Sequence, residues 1–111
     1  MSLKLIKLQR VVEEFRKLDS EMQAQTVLAF LFVAEKQEQG TPATVREVGE
    51  YLEVTSASAS RNIAALSKVS RHRRAGHDLL FTYENPDYRV EKLIEMTDKG
   101  KALIKRLEGL L

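Results

Sequence analysis

Residues 44–66 read TVREVGEYLEVTSASASRNIAAL, and this stretch decides the fold. Thr44 followed three residues later by Glu47 has the form of a capping box, so a helix starts here with Val45, Val48 and Leu52 on one side. Glu53-Val54 breaks that helix, and Thr55 can cap a second one running from Ser56 to at least Lys68. Two short helices joined by so tight a break make a helix-turn-helix, in which the second helix crosses close to the first and needs a small residue beneath it. Gly49 meets that need, in a mid-helix position where glycine costs about 1 kcal/mol against alanine. Val54 plugs the turn.

At 100° per residue, Ala59, Ile63 and Leu66 fall within an arc of about 60° and form the buried side of the second helix. Ser56, Ala57, Ser60, Arg61 and Ala64 occupy a separate arc of about 140° that holds no acid and no large apolar side chain. Small and hydroxyl side chains let a helix approach base edges closely and can bond bases or phosphates. Continuing the wheel brings Lys68 and Arg71 onto the same arc, so the stripe starts small and becomes cationic. The plain alternative is a surface helix with incidental serines. Against it, Thr55, Ser56, Ser58 and Ser60 crowd hydroxyl residues where they weaken helix propensity, and only Thr55 is accounted for as a cap.

The charge pattern points the same way. The net charge is +2, and all of it arises in residues 71–80, where Arg71, Arg73 and Arg74 face only Asp78; the rest of the chain is balanced. No acid occurs between Glu53 and Asp78, although the chain has 16 of them, while Arg61, Lys68, Arg71, Arg73 and Arg74 all fall in that interval. Such a gap suits a surface that meets a polyanion, although cations at a helix C-terminus are also stabilising in their own right.

Outward from the centre, residues 3–18 read as an amphipathic helix with Leu5, Leu8, Val12 and Phe15 on its stripe. Ser20 with Gln23 resembles a capping box for a second helix over about 21–38, uncharged from Met22 through Ala34 and hence a core helix. Gly40 supplies its stop. Leu79 to Tyr83 favours a strand, Glu84-Asn85-Pro86-Asp87 is turn chemistry, and Tyr88 to Met96 reads as a returning strand. Thr97 caps a last helix bearing Leu103, Ile104, Leu107, Leu110 and Leu111. The fold class is mainly α with a small β-hairpin, ordered helix-helix-helix-helix-hairpin-helix: a winged helix-turn-helix in one domain over residues 1–111.

The arrangement resembles the MarR family of bacterial transcription regulators. The resemblance rests on the helix-turn-helix ending in Ser60-Arg61-Asn62-Ile63, and on Asp87-Tyr88-Arg89 followed by Thr97-Asp98-Lys99-Gly100. It implies that Arg89 is the wing arginine that reaches the minor groove and that Asp87 orients it. This chain departs from the family in its short terminal helices, in its long basic connection from Ser70 to His77, and in a wing tip carrying Glu84 and Asp87. An acidic tip faces phosphates unfavourably, so the basic connection would take the backbone contacts.

Enzyme chemistry has little to stand on: there is no Gly-rich phosphate loop, nucleophile elbow or His-Glu-x-x-His pattern. His72, His77 and Asp78 form only a weak metal pattern, so neither a metal nor a cofactor is expected. With no cysteine, no disulfide framework or thiolate zinc site exists, and no apolar run approaches the ~18 residues of a membrane span, so a cytoplasmic chain without membrane contact is expected. The expected partner is double-stranded DNA. Thr55, Ser56, Ala57, Ser58, Ser60 and Arg61 would bind the major groove from a recognition helix at about 55–68, with Lys68 where that helix leaves along the backbone. Arg71, Arg73 and Arg74 in the basic loop 70–77 would lie on the backbone, and Arg89 in the wing. Residues 1–18 and 98–111 would pair two copies into a homodimer, because a domain this small has trouble covering apolar stripes at both ends. A small-molecule effector is permitted by the resemblance, but no residue constellation identifies its pocket. The competing class is a winged-helix protein-interaction module that docks an acidic partner on its arginine loop.

Overall fold

Hydroxyl side chains set four of the five helix starts in the computed structural model, which describes residues 2–68 and 76–111. Ser2 accepts from the Leu5 amide and opens α1 (Leu3–Leu18), and Thr97 accepts from the Gly100 amide and opens α5 (Asp98–Leu110). Thr44 opens α3 (Val45–Leu52) with a complete capping box: its hydroxyl accepts from the Glu47 amide, while Glu47 accepts from the Thr44 amide, both at 3.0 Å. Thr55 opens α4 (Ser56–Leu66) by accepting from the Ser58 amide.

The remaining helix, α2 (Ala24–Glu38), starts three residues later than the sequence pattern suggests and has no side-chain cap. In place of the cap expected at Ser20, Asp19 closes a turn ahead of the helix: its carboxylate accepts from the Glu21 amide and its carbonyl from the Met22 amide. That local turn competes with helix and pushes the start to Gln23.

The sheet has a third strand that the sequence reading missed. The two residues of β1 (Ala43–Thr44) pair antiparallel with β3 (Tyr88–Met96), Ala43 opposite Ile94 and Thr44 opposite Leu93. Two residues cannot show an alternating pattern, so β1 is legible only through its partner. The other neighbour of β3 is β2 (Leu80–Asn85), in the order β1-β3-β2. Glu84 and Asn85, expected in the turn, belong to β2 and leave Pro86-Asp87 as the hairpin loop; the register is irregular between Glu84 and Asn85.

Phe30 and Val33 of α2, Val48 of α3, Ile63 and Leu66 of α4, Ile94 of β3 and Leu103 of α5 share one core, each at most 3% exposed. The core thus fixes the helix-turn-helix against both the central helix and the wing. The turn works as its sequence suggests. Glu53 adopts a left-handed backbone (φ 57°), which brings the Val54 amide to the Gly49 carbonyl at 3.0 Å. A Cβ on Gly49 would sit 3.4 Å from the Val54 carbonyl oxygen and 3.5 Å from the Ala59 Cβ. Those are ordinary contacts, so Gly49→Ala is expected to change unfolding stability by less than about 1 kcal/mol. Gly49→Leu has no room for its branch and should lose several kcal/mol. Chemical denaturation of both variants checks this, and a fully stable leucine variant would contradict the helix crossing.

Helix α4 ends earlier than expected, at Leu66 rather than beyond Lys68. Its last carbonyls are taken by the chain returning toward β2. The His77 amide donates to Ala65, the Leu79 amide to Leu66 and the Asp78 amide to Ser67, at 2.7–3.2 Å. With those acceptors occupied and the Ser67 hydroxyl donating to the Ile63 carbonyl, the helix cannot propagate. Lys68 therefore lies outside the helix, and the wheel that placed it on the outer stripe does not extend to it; Arg71 lies outside the described residues.

A candidate nucleic-acid interface

The outer arc of α4 forms as the wheel predicts. Ser56, Ala57, Ser60 and Arg61 are exposed together with the cap Thr55, and Ala64 is half-buried. Ala59, Ile63 and Leu66, the opposite arc, are 0–3% exposed. Ser58 is half-buried toward α2 rather than on the outer face. Lys68 is exposed just beyond the helix end, and Asp87 and Arg89 are exposed at the tip of the hairpin. Arg71, Arg73 and Arg74 lie outside the described residues. The Asp87 amide donates to the Asn85 side-chain oxygen at 2.9 Å, and among the described residues the ion pairs do not include one between Asp87 and Arg89.

The orientation of α4 is set by a buried polar pair. The Thr26 hydroxyl donates to the Asn62 side-chain oxygen at 2.6 Å, and the Asn62 amide group donates to the Ser58 carbonyl at 3.0 Å. Both side chains are nearly fully buried, at 7% and 5% exposed. A buried amide left unpaired would be costly, so the bond fixes how α4 rolls against α2. That roll aims Ser56, Ser60 and Arg61 outward. The role of Asn62 is legible in hindsight, since it sits at the edge of the apolar arc of α4, opposite the serines.

Sequence reading also missed Lys92. Leu80, Thr82 and Glu84 lie opposite Met96, Ile94 and Lys92 in regular register. Alternation along β3 puts Lys92 on the face of buried Ile94 and Met96, the face turned toward α4. The other face carries Phe81 and Tyr83, whose rings lie 5.9 Å apart. The Tyr83 hydroxyl donates to Glu95, and this bond, with burial and the carboxylate charge, pushes the phenol up to about 12.

On the side of Arg61 opposite the wing, Asp19, Gln23, Ser58, Asn62 and His77 surround a polar pocket of ≈ 450 Å³. His77 Nε2 lies 3.8 Å from an Asp19 oxygen across it. Among the described residues no group of three or more His, Asp or Glu is arranged to hold a metal, and no helix is long and apolar enough to cross a membrane.

At the far end of the molecule α1 packs on α5, where Arg106 Nε meets the Glu14 carboxylate at 3.2 Å. Lys17, and then Arg106, hold the Glu14 carboxyl below the usual carboxylate range. Of the apolar stripe read in α1, only Phe15 is buried. Leu5, Leu8 and Val12 remain 54%, 57% and 52% exposed, and Leu111 70%.

This arrangement is the winged helix seen in solved structures of MarR-type regulators. MepR of S. aureus in a complex with DNA superposes with a TM-score of 0.70 at 15% identity, over 96% of this chain and 74% of that one. A MarR-like transcriptional regulator from Thermotoga maritima gives 0.62 at 22% identity, over 98% and 74%. BpsR of Bordetella bronchiseptica, whose DNA binding is regulated by 6-hydroxynicotinic acid, gives 0.57 at 22%, over 97% and 70%. At these identities the likeness is one of fold. No family model and no curated relative matches the chain.

Proposed function

We propose that this protein is a sequence-specific, double-stranded DNA-binding transcriptional regulator of the cytoplasm that works as a homodimer. The observation that carries the reading is the acid-free outward face of α4, with Ser56, Ala57, Ser60 and Arg61 exposed on a helix whose roll is fixed from behind by Thr26 and Asn62. Side chains of this size let the helix enter a major groove, and Arg61 is long enough to meet a guanine edge. The fold shared with MepR, which was solved in complex with DNA, supports a DNA-binding reading. Lys68 and the loop bearing Arg71, Arg73 and Arg74 would follow the backbone, and Arg89, with Asp87 beside it, would extend the wing toward the minor groove.

Selection of bound duplexes from a random pool tests the reading. One enriched site should emerge, preferred over bulk duplex by at least about a thousandfold, with affinity falling steeply as salt rises. Recovery of unenriched sequence would refute base reading.

The open stripe of Leu5, Leu8 and Val12 supports the dimer, because three large apolar side chains at successive turns gain by being covered. A second copy docking α1 and α5 across a two-fold axis would set two α4 helices about 34–36 Å apart, one turn of duplex. Sedimentation equilibrium at micromolar concentration should return the dimer mass, and Leu8→Glu should return the monomer. A monomeric unmodified protein would remove the two-fold docking arrangement.

A further inference from the structure

Between the N-terminal half of α4 and the wing runs a cleft of ≈ 310 Å³ bordered by Arg46, Ser56, Ser60, Tyr88, Val90 and Lys92. Lys92 also borders the adjoining cleft, with Ser60 and Ala64 of the same helix and its C-cap Ser67. It is thus the wing cation that stands against the serine face of α4 along two turns, whereas Arg89 borders neither cleft. Arg46 reaches the site from the first turn of α3. Its guanidinium pairs with Glu50 at 2.6 Å, but both side chains are 64% exposed, so the pair can open toward another anion. Glu91 also borders the cleft, and its carboxylate accepts from the Asn85 side-chain amide at 3.0 Å.

The cleft combines two chemistries. Two cations and two hydroxyls suit a phosphodiester. The walls beside them are apolar and unusually open, with Val90 77% and Tyr88 61% exposed. A free anion has no use for such walls, whereas a nucleic-acid backbone presents a deoxyribose next to every phosphate. Building on the DNA-binding reading, we infer that Lys92 and Arg46, with Ser56 and Ser60, clamp one phosphodiester of duplex DNA between the recognition helix and the wing, while Tyr88 and Val90 pack on the adjoining sugar. The clamp positions the helix without reading a base, so its loss should weaken all duplexes alike.

The test measures affinity of the full chain for its selected duplex, and for an unrelated duplex, across a salt series. Lys92→Gln should weaken both roughly three- to tenfold and lower the slope of log affinity against log salt by about half of the ~0.9 that one phosphate contributes, because Arg46 serves the same phosphate. Lys92→Arg should restore both readings, and Arg46→Gln should lower the slope in the same way. Lys92 is exposed and Arg46 lies on a helix surface, so circular dichroism should show unchanged folding. An unchanged slope with affinity within twofold after Lys92→Gln would overturn the clamp and leave the DNA reading standing. No binding of any duplex by the unmodified protein would overturn both.

Discussion

Gly100→Ala is expected to destabilise the protein by about 3 kcal/mol or more, far beyond what a methyl group costs on an ordinary helix. Gly100 lies in the first turn of α5, where a Cβ would run into the backbone carbonyl of Leu79 and press on Met96 Cβ at 3.3 Å. The obstacle cannot step aside. Leu79 is fully buried, its amide donates to the Leu66 carbonyl at 2.7 Å, and its own carbonyl accepts from the Thr97 amide at 3.0 Å. Thr97 closes the junction from the other side: its hydroxyl accepts from the Gly100 amide and donates to the Asp78 carbonyl at 2.6 Å. The end of α4, the start of the wing and the last helix therefore meet at one backbone crossing that has room only for hydrogen. Thermal or chemical denaturation measures the loss. An alanine variant as stable as the parent would mean that α5 stands farther from Leu79 than described. Because the same crossing anchors β2 and β3, the damage should spread to the wing and be visible as lost amide protection in both strands.

Arg61→Ala is expected to act on binding and hardly at all on folding. The side chain is exposed on α4, so stability should stay within about 0.5 kcal/mol. Specific affinity should fall by roughly 1–3 kcal/mol, a factor of about 5 to 150, with relaxed preference at one base pair of the site. The comparison that decides its role is between the selected duplex and an unrelated one, measured at one salt concentration. A loss confined to the selected site assigns Arg61 to a base edge. Equal losses on both would make it a phosphate contact, like the one inferred for Lys92, and would leave specificity to the serines and to the shape of the duplex.

The centre of the fold was legible because its signals are local. A threonine three residues before a glutamate makes a capping box wherever the chain between them is helical, and Thr44 and Glu47 do so. Thr55, Thr97 and Gly49 are of the same kind, since each acts within one turn of itself or on its immediate neighbour helix. The outer and inner arcs of α4 were legible for a related reason: helical periodicity alone separates Ser56, Ser60 and Arg61 from Ala59, Ile63 and Leu66. Local signals fail where two of them compete. At residues 19–23 the Asp19 turn displaces the Ser20 cap, and nothing in the spacing ranks one above the other.

What the sequence by itself determined is a helix-turn-helix with a small-residue, acid-free outer face, followed by a hairpin and a last helix. What only the tertiary structure decided is where that face ends and what stands beside it. Helix α4 stops at Leu66 because residues 77–79 occupy its final carbonyls, a contact across 11 or more positions of chain. The face is aimed by Thr26, 36 residues away from Asn62, and flanked by Lys92, brought in by strand register. Periodicity records which residues share a side of one element. Hydrogen bonds between elements determine which sides meet, and strand register determines that Lys92 stands beside the serine face of α4.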